Sequence, residues 1–224
     1  MMNWDSTWEQ IFSTREWGKY PPEEVIRFIA RNFYGCLDRK QIKLLEIGCG
    51  TGANIWYMSR EGFDVYGIDG SNTAIAKAEN RLQSEGLKAH FQVGDLISLS
   101  NFYSPAYFDA VLDVACLQHN SIQGIKTIVE QVKALLKPGG KIFSITVASG
   151  SWGDGLGKEV EPGTFIEIQE GPLEGKGLCH FFSLEEVQLF SSQFADVEIE
   201  YSVRSFNHQK QYYKHWLVEG KKQP

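Results

Sequence analysis

Three glycines in the segment LEIGCGTGAN, residues 45–54, mark the part of the sequence best suited to hold a ligand. Gly48, Gly50 and Gly52 allow left-handed backbone conformations and let a ligand approach without a side chain in the way. The segment follows a short apolar run and precedes a helical pattern, which is where α/β sheets bind nucleotide-like ligands. Because Gly48-x-Gly50-x-x-Ala53 also matches a dinucleotide fingerprint, the loop alone leaves an NAD(P)-dependent oxidoreductase open.

Three acidic residues near the ends of predicted strands narrow the kind of ligand. Glu46 lies two residues before the first glycine, where the ammonium group of a methionine-type ligand needs a carboxylate and a dinucleotide does not. Asp69 ends the second predicted strand, and its two oxygens can accept hydrogen bonds from the hydroxyls of a ribose. Asp95 ends the third and can accept from the exocyclic amine of an adenine. The alternative is that Asp69 and Asp95 are ordinary turn residues at strand ends.

These residues are positioned by an alternation of short apolar runs with helical patterns. The apolar runs KLLEIG, DVYGID, AHFQVGD, FDAVLDVA and KIFSITVA predict strands, and helices are predicted over about residues 53–61, 73–84 and 123–136. Strands separated by single helices are typical of parallel βαβ units with right-handed crossovers. We therefore predict an α/β fold, a doubly wound parallel sheet with helices on both faces.

The segments on either side of this core differ from it in composition. Residues 1–20 contain three tryptophans and no strand alternation, which indicates a short helical or irregular arm before a helix at Pro21-Pro22. Residues 150–177 contain eight glycines, two prolines and one short alternating run, TFIEIQ, and are typical of a lid or binding loop. Ser183 and Glu186 predict a capping box for a helix to about residue 194, and VEIEYSV and YYKHWLVEG predict two paired strands.

Charge and composition exclude several classes of protein. Lysine plus arginine number 22 and aspartate plus glutamate 28, a net charge of −6 that lacks the basic footprint of a nucleic-acid binder. The four cysteines have no metal-ligand spacing, so we expect reduced thiols and no metal site. The first residues lack the pattern of a signal peptide and no apolar run is long enough to span a bilayer, so we expect a cytoplasmic protein without membrane association.

Four motifs occur in order along the core: LEIGCGTG, VYGID, VGDL at residues 93–96 and LKPGG at residues 136–140. With them, residues 40–147 resemble the class I S-adenosylmethionine-dependent methyltransferases. The resemblance implies a Rossmann-like sheet of seven mostly parallel strands whose last two form a reversed hairpin. It also implies S-adenosylmethionine as cofactor and S-adenosylhomocysteine as its product. We expect a single domain with four parts: an arm and helix (1–40), a cofactor-binding core (41–147), a lid (148–182) and a C-terminal helix and hairpin (183–224).

The resemblance assigns residues to each part of the cofactor. Nine positions are implied, in chain order: Glu46, Gly48, Cys49, Gly50, Gly52, Asp69, Gly70, Asp95 and Leu96. The first five line the methionine moiety, Asp69 holds both ribose hydroxyls with Gly70 beside it, and the last two frame the adenine. In similar enzymes an N-terminal arm folds over the cofactor, so Tyr20 is expected to bond the methionine carboxylate or the substrate and Trp17 to wall the pocket. Aromatic anchoring of the arm on the core is the alternative for both.

Three residues are candidates for the chemistry itself. A methyl group on a sulfonium is already electrophilic, so an enzyme chiefly positions the acceptor and supplies a base where a hydroxyl must lose its proton. His119 follows the fourth strand and is the best candidate for that base, with capping or packing as the alternative. His180 could reach the site from the lid, or be an ordinary strand residue. Asp113 is implied to face the methyl group or the substrate, with a turn role as the alternative.

These observations predict a methyltransferase acting on a hydroxyl or amine of a small-molecule acceptor. The stretch DVACLQ lacks the Asn/Asp-Pro-Pro-Tyr/Phe pattern of nucleobase and glutamine methyltransferases, so those substrates are disfavoured. The arm WGKYPPEE resembles methyltransferases encoded with bacterial surface-polysaccharide genes, which makes a sugar or polysaccharide precursor one candidate. We expect a monomer or homodimer that binds no nucleic acid. The rival hypotheses are a non-catalytic cofactor-binding regulatory protein and an NAD(P)-dependent oxidoreductase.

Overall fold

A seven-stranded sheet runs through the computed structural model, which describes residues 4–223. The strands within these residues, in order, are β1 (Lys43–Ile47), β2 (Asp64–Asp69), β3 (His90–Val93), β4 (Phe108–Val114), β5 (Leu136–Val147), β6 (Lys158–Glu161), β7 (Thr164–Ile166), β8 (Cys179–His180), β9 (Ala195–Phe206) and β10 (Gln211–Lys221). In the large sheet the order is β3-β2-β1-β4-β5-β10-β9, and β6, β7 and β8 form a second, smaller sheet.

The order and direction of the strands confirm the predicted fold class. The five strands β1 to β5 are parallel, and β10 runs antiparallel to both of its neighbours, β5 and β9. This is a doubly wound Rossmann-like sheet with a reversed C-terminal hairpin. Ile47 stands opposite Ile68 on one side and Asp113 on the other, so β1, β2 and β4 end at the same edge. The loops that follow these strands therefore meet there.

Helices cover both faces of the large sheet. They are α1 (Thr7–Thr14), α2 (Glu23–Phe33), α3 (Ala53–Arg60), α4 (Asn72–Ser84), α5 (Ile122–Leu135) and α6 (Leu184–Ser191). One face is covered by α2, α3 and α4, with Phe28 and Ile55 fully buried in the apolar cluster. The other face is covered by α5 and α6, whose Ile128 and Val187 pack in a second cluster. Burial on both faces explains why the central strands read as continuous apolar runs.

The predicted capping box of α6 is present. Ser183 accepts from the Glu186 backbone N–H at 3.2 Å, and the Glu186 carboxylate accepts from the Ser183 N–H at 2.9 Å. The helix ends at Ser191, three residues before the predicted end. The Phe194 N–H closes a turn on the Ser191 carbonyl at 2.9 Å, and the Phe194 ring is buried beside Gly220 of β10.

The glycine-rich segment before α6 contains more regular structure than predicted. It holds β6, β7 and β8, packed through a small apolar cluster that includes Phe165, Leu173 and Phe181. The predicted strand TFIEIQ stops at Ile166, because Glu167 adopts a left-handed conformation with φ +55°. We call residues 148–182 the lid. Its small sheet stands at the edge where the parallel strands of the large sheet end, since Phe182 bonds the Val147 carbonyl.

Two kinds of feature are absent from residues 4–223. No helix in that range is both long and apolar enough to cross a bilayer. No group of three or more His, Cys, Asp or Glu side chains in the same range is arranged to hold a metal ion.

Candidate active site

The glycine loop after β1 depends on backbone conformations that favour glycine. Gly48, Gly50 and Gly52 have φ of +63°, +51° and +78°. A Cβ on Gly48 would overlap the Cys116 side chain, so this position also needs glycine for space. The Gly50 N–H donates to Asp69 Oδ2 at 2.9 Å, which ties the loop to the end of β2. The loop is thus a rigid backbone cradle.

A cavity of about 400 Å³ lies in front of this loop, at the carboxyl ends of the parallel strands. Its size fits a cofactor-sized ligand. It brings together eleven of the fourteen residues singled out from the sequence: Trp17, Tyr20, Glu46, Gly48, Cys49, Gly50, Asp69, Gly70, Asp95, Leu96 and His119. Gly52, Asp113 and His180 do not line it.

Glu46 presents an unpaired oxygen within this lining. Its side chain is 2% exposed, and Oε1 accepts from Asn54 Nδ2 at 2.5 Å, while Oε2 has no hydrogen-bond partner among residues 4–223. Burial, with smaller contributions from the charges of Asp69 and Asp113, raises the pKa of the Glu46 carboxyl to about 8. A buried carboxyl oxygen without a donor is the feature that a cationic ligand group would satisfy.

Asp69 and Asp95 hold local turns and also line the cavity. Asp69 Oδ1 accepts from the Ser71 N–H at 2.9 Å while Oδ2 holds Gly50, and burial raises the pKa of Asp69 despite these bonds. Each oxygen keeps a further lone pair for a ligand hydroxyl. Asp95 accepts from the Ile97 N–H at 3.2 Å and caps a short 3₁₀ turn. The turn role and the ligand role are therefore compatible at both positions.

Asp113 lies behind the cavity wall, not in it. It is fully buried and accepts from the N–H groups of Cys116 at 3.0 Å and Leu117 at 2.9 Å and from the Ser144 hydroxyl at 2.5 Å. Burial raises the pKa of this carboxyl to about 6. Its oxygens hold the turn that leads to His119, so this geometry does not support the implied position of Asp113 facing the methyl group or substrate.

His180 is also outside the cavity. It is fully buried at the junction of the lid with α6, with Nδ1 2.8 Å from the Thr164 hydroxyl and Nε2 3.4 Å from Glu186. Burial lowers the pKa of His180. The strand position of β8 turns this side chain toward the α6 capping box, and the hypothesis that it reaches the site from the lid does not fit the structure.

His119 lies on the cavity wall with a defined ring orientation. Nδ1 is 2.8 Å from the Leu178 carbonyl, so Nδ1 carries the proton and donates. Nε2 lies 3.4 Å from the Gln118 amide nitrogen, and the ring contacts Trp8 with centroids 4.6 Å apart. Burial lowers the pKa of His119 to about 4, which keeps the imidazole neutral near pH 7. Nε2 is thus the basic nitrogen on this wall.

The sequence reasoning missed Gln118, whose buried amide orients its neighbours. Its oxygen accepts from the Val147 N–H at 2.8 Å, which fixes the amide so that its NH₂ group points at His119 Nε2 and Tyr213. It also missed Tyr213 and His215 of β10, whose rings are 4.8 Å apart and line the cavity. Alternation along the predicted strand could have paired these two residues on one face.

The N-terminal arm, residues 4–20, closes one side of the cavity. Glu9 in α1 accepts from the Ser71 hydroxyl at 2.5 Å and from Thr73 at the start of α4, which fastens the arm to the core. The Trp4 indole lies against Gly70, where an added Cβ would overlap it. Trp4 and Trp8 are further cavity residues that the sequence analysis did not single out.

The two predicted arm residues occupy different settings. Trp17 packs against Trp8 and Phe12, with ring centroids 5.7 and 5.4 Å apart, and lines the cavity. Tyr20 is 74% exposed at the cavity mouth, with its ring 5.7 Å from Trp56. Trp17 therefore both anchors the arm and forms part of the cavity wall, whereas most of the Tyr20 side chain is exposed to solvent.

Comparisons with known proteins agree with this architecture. Residues 44–140 match the family model described as a methyltransferase domain. Norajmaline N-methyltransferase of Rauvolfia serpentina is 29% identical over 129 residues, covering 56% of this chain and 42% of that protein. A ubiquinone biosynthesis O-methyltransferase of Paraburkholderia phymatum is 33% identical over 105 residues, covering 47% and 44%. The chain thus spans less than half the length of these curated relatives.

The fold has a solved counterpart over most of its length. The crystal structure of a SAM-dependent methyltransferase from Methanosarcina mazei aligns with a TM-score of 0.68 at 23% identity, covering 82% of this chain and 93% of that one. That protein is named as S-adenosylmethionine-dependent, and S-adenosylmethionine is the cofactor predicted for this chain. The sequence match and the strand topology together show that residues 44–140 form a methyltransferase domain within a Rossmann-like sheet.

Proposed function

We propose that this protein transfers a methyl group from S-adenosylmethionine to a hydroxyl or amine of a small-molecule acceptor. The observation that carries the proposal is the set of acidic groups around the glycine cradle. A buried Glu46 oxygen without a donor and an Asp69 carboxylate fixed at the end of β2 line one cavity of about 400 Å³. A cofactor with an ammonium group at one end and a ribose in its middle would satisfy both.

The residues present fit the cofactor part by part. Glu46 would accept from the ammonium group of the methionine moiety, with the backbone of Gly48 to Gly50 beside it. Asp69 would accept from the ribose hydroxyls, and Asp95 with Leu96 would flank the adenine. When bound, S-adenosylmethionine supplies a methyl group on a positively charged sulfur, so the protein needs no metal to make that group electrophilic.

The protein's own residues then have three tasks. The first is positioning: an acceptor bound in line with the sulfur–methyl bond reacts without the loss of translational and rotational entropy that an encounter in solution requires. The second is exclusion of water, to which Trp8 and Trp17 of the arm and Leu173 of the lid contribute apolar surface on the cavity wall. The third is acceptance of a proton from a hydroxyl or amine. His119 Nε2 is the candidate, since Nδ1 is held by the Leu178 carbonyl, and a bound acceptor would displace the Gln118 amide, 3.4 Å away, from the single lone pair of Nε2.

The curated relatives favour neither acceptor atom over the other. One is named as an N-methyltransferase and the other as an O-methyltransferase. A neutral His119 suits a hydroxyl, which must lose its proton, and equally a protonated amine product. The sugar or polysaccharide precursor suggested by the arm stays a prediction about the acceptor.

Calorimetry tests the proposal against the oxidoreductase alternative. Wild-type protein is titrated separately with S-adenosylhomocysteine and with NADH under the same conditions. We expect one-to-one binding of S-adenosylhomocysteine and no heat from NADH. Binding of NADH alone, or of neither compound, would contradict the proposed function. Methyl transfer from tritium-labelled S-adenosylmethionine to a small-molecule extract then separates a catalyst from a non-catalytic binding protein.

A further inference from the structure

The cavity that would hold the cofactor carries one lysine or arginine among its described lining residues, Lys176 in the lid. The same lining carries four acidic residues: Asp5, Glu46, Asp69 and Asp95. Lys176 is therefore the place in this cavity where an anionic group is attracted.

No acidic residue among residues 4–223 forms an ion pair with Lys176. Its ammonium lies over the Trp17 ring, with Nζ 5.1 Å from the centroid, and the titratable groups that act on it are those of Cys179 and Arg15. The side chain is partly buried, and that burial lowers the pKa of the Lys176 ammonium. Burying an ammonium group without an anion to pair with it is unfavourable. A bound anion would pair with the Lys176 ammonium and offset that unfavourable free energy.

The position of Lys176 favours the acceptor over the cofactor as the source of that anion. It lies two residues before Leu178, whose carbonyl holds His119, and its charge contributes to the lowered pKa of His119. Its N–H donates to the carbonyl of Leu173, which packs in the same cluster as Tyr213 of β10. The ribose and adenine residues belong to the loops after β2 and β3, on the other side of β1.

The side chains that line the cavity around Lys176 indicate what the rest of the ligand is like. They are aromatic or aliphatic, formed from the arm, the lid and β10 by Trp8, Trp17, Pro172, Leu173 and Tyr213. Apolar walls with a single cationic group, and with the Asp5 carboxylate held by the Leu178 N–H at 3.2 Å, favour a ligand that has an apolar body and one anionic substituent.

Resting on the proposed function, we propose that the methyl acceptor is a small organic acid with an apolar body. Its carboxylate or phosphate pairs with Lys176, while its hydroxyl or amine faces His119. Lys176 is then the residue that selects acidic acceptors over neutral ones, because a neutral analogue would leave the ammonium group unpaired.

The test separates a small-molecule extract of the source organism into acidic and neutral fractions on an anion-exchange resin. Each fraction is incubated with the protein and tritium-labelled S-adenosylmethionine, and transferred tritium is counted. Three variants are compared with wild type: Lys176→Met, Lys176→Arg, and Lys158→Met as a matched change at an exposed lysine of the same lid. The affinity of each for S-adenosylhomocysteine is measured by calorimetry.

We expect wild type to label the acidic fraction. Lys176→Met should lower that labelling about tenfold or more, with unchanged affinity for S-adenosylhomocysteine, while Lys176→Arg and Lys158→Met keep it. Labelling of the neutral fraction alone, or equal labelling by Lys176→Met, would overturn the inference and leave the proposed function standing. A tenfold loss of S-adenosylhomocysteine affinity in Lys176→Met would also overturn it, because the lysine would then hold the methionine carboxylate. No labelling in either fraction would instead contradict the proposed function itself.

Discussion

The proposed cofactor half of the cavity, around the glycine loop and Asp69, and the proposed acceptor half, around His119 and Lys176, are built from contacts of different range. In the cofactor half, Asp69 is held by Gly50 on the adjacent strand end and by Ser71 two residues away. In the acceptor half, His119 contacts Trp8 of the arm and Leu178 of the lid, each separated from it by more than fifty residues. Contacts between neighbouring strand ends suit a ligand that proteins of this fold have in common. A half assembled from distant segments can bind a different ligand in each protein while the fold stays the same.

The largest expected effect is a loss of methyl-transfer rate from a substitution in the acceptor half alone. His119→Ala should lower the rate of methyl transfer by about 10²–10⁴-fold, since the proton acceptor is lost, and leave the affinity for S-adenosylhomocysteine unchanged. Initial rates with tritium-labelled S-adenosylmethionine and the acidic extract fraction measure the first quantity, and calorimetry measures the second. His90→Ala, at an exposed histidine of β3, is the control. A rate equal to that of wild type would remove His119 from the chemistry.

The next largest effect is a loss of stability from a substitution in the glycine loop of the cofactor half. Gly48→Ala should reduce the free energy of unfolding by about 2–3 kcal/mol, because φ is +63° and the new Cβ would overlap Cys116. Gly86→Ala, at φ +70° in open space, should cost only about 1 kcal/mol. Urea unfolding monitored by circular dichroism gives both values. Equal losses would mean that conformation alone, and not close packing at the loop, requires glycine at position 48.

A smaller effect tests the acidic groups of the cofactor half. Asp69→Asn should weaken S-adenosylhomocysteine binding by about 10–100-fold, since a charged acceptor of hydrogen bonds becomes a neutral amide. Asp196→Asn makes the same chemical change on β9, far from the cavity, at a left-handed position that asparagine tolerates. Calorimetry on both variants is the measurement. Matching losses in the two variants would show that Asp69 acts on stability and not on the ligand.

The pH dependence of cofactor binding sharpens the same half. The Glu46 carboxyl, with a pKa of about 8 in the free protein, is largely protonated at pH 6 to 7. A bound ammonium favours the ionised carboxylate, so binding should release a proton and tighten as the pH rises toward 8, by about tenfold per pH unit at most. Calorimetry in buffers of different ionisation enthalpy counts that proton. The Glu46→Gln variant should show neither the proton nor the dependence.

The difference in contact range also explains what could be predicted from the sequence. The parallel sheet and the glycine conformations follow from short-range patterns: apolar runs, caps such as Ser183 with Glu186, and glycines in the loop after β1. The reversed hairpin follows from the family resemblance. Asp69 and Asp95 could be placed because strand ends of a parallel sheet share one edge. Their position in the cavity agrees with the assignment, and their binding role stays a prediction.

The acceptor half shows where sequence reasoning stops. Lys176 lies in a segment of glycines with no periodicity, and only the folded lid brings it next to Trp17. His180 and Asp113, like His119, are titratable residues near the end of a strand. Both are buried away from the cavity: His180 lies against Glu186 of α6, and Asp113 accepts from the Leu117 N–H in the turn after β4. A residue type near a strand end does not by itself show which side of the wall its side chain occupies.

The central claim is that the methionine end of S-adenosylmethionine lies against Glu46. The most direct measurement compares two ligands, S-adenosylhomocysteine and 5′-methylthioadenosine, which lacks the amino-acid part, by calorimetry on wild type and Glu46→Gln. The account predicts that the variant binds S-adenosylhomocysteine about tenfold more weakly and 5′-methylthioadenosine as wild type does. Equal weakening of both ligands, or no change in either, would contradict it.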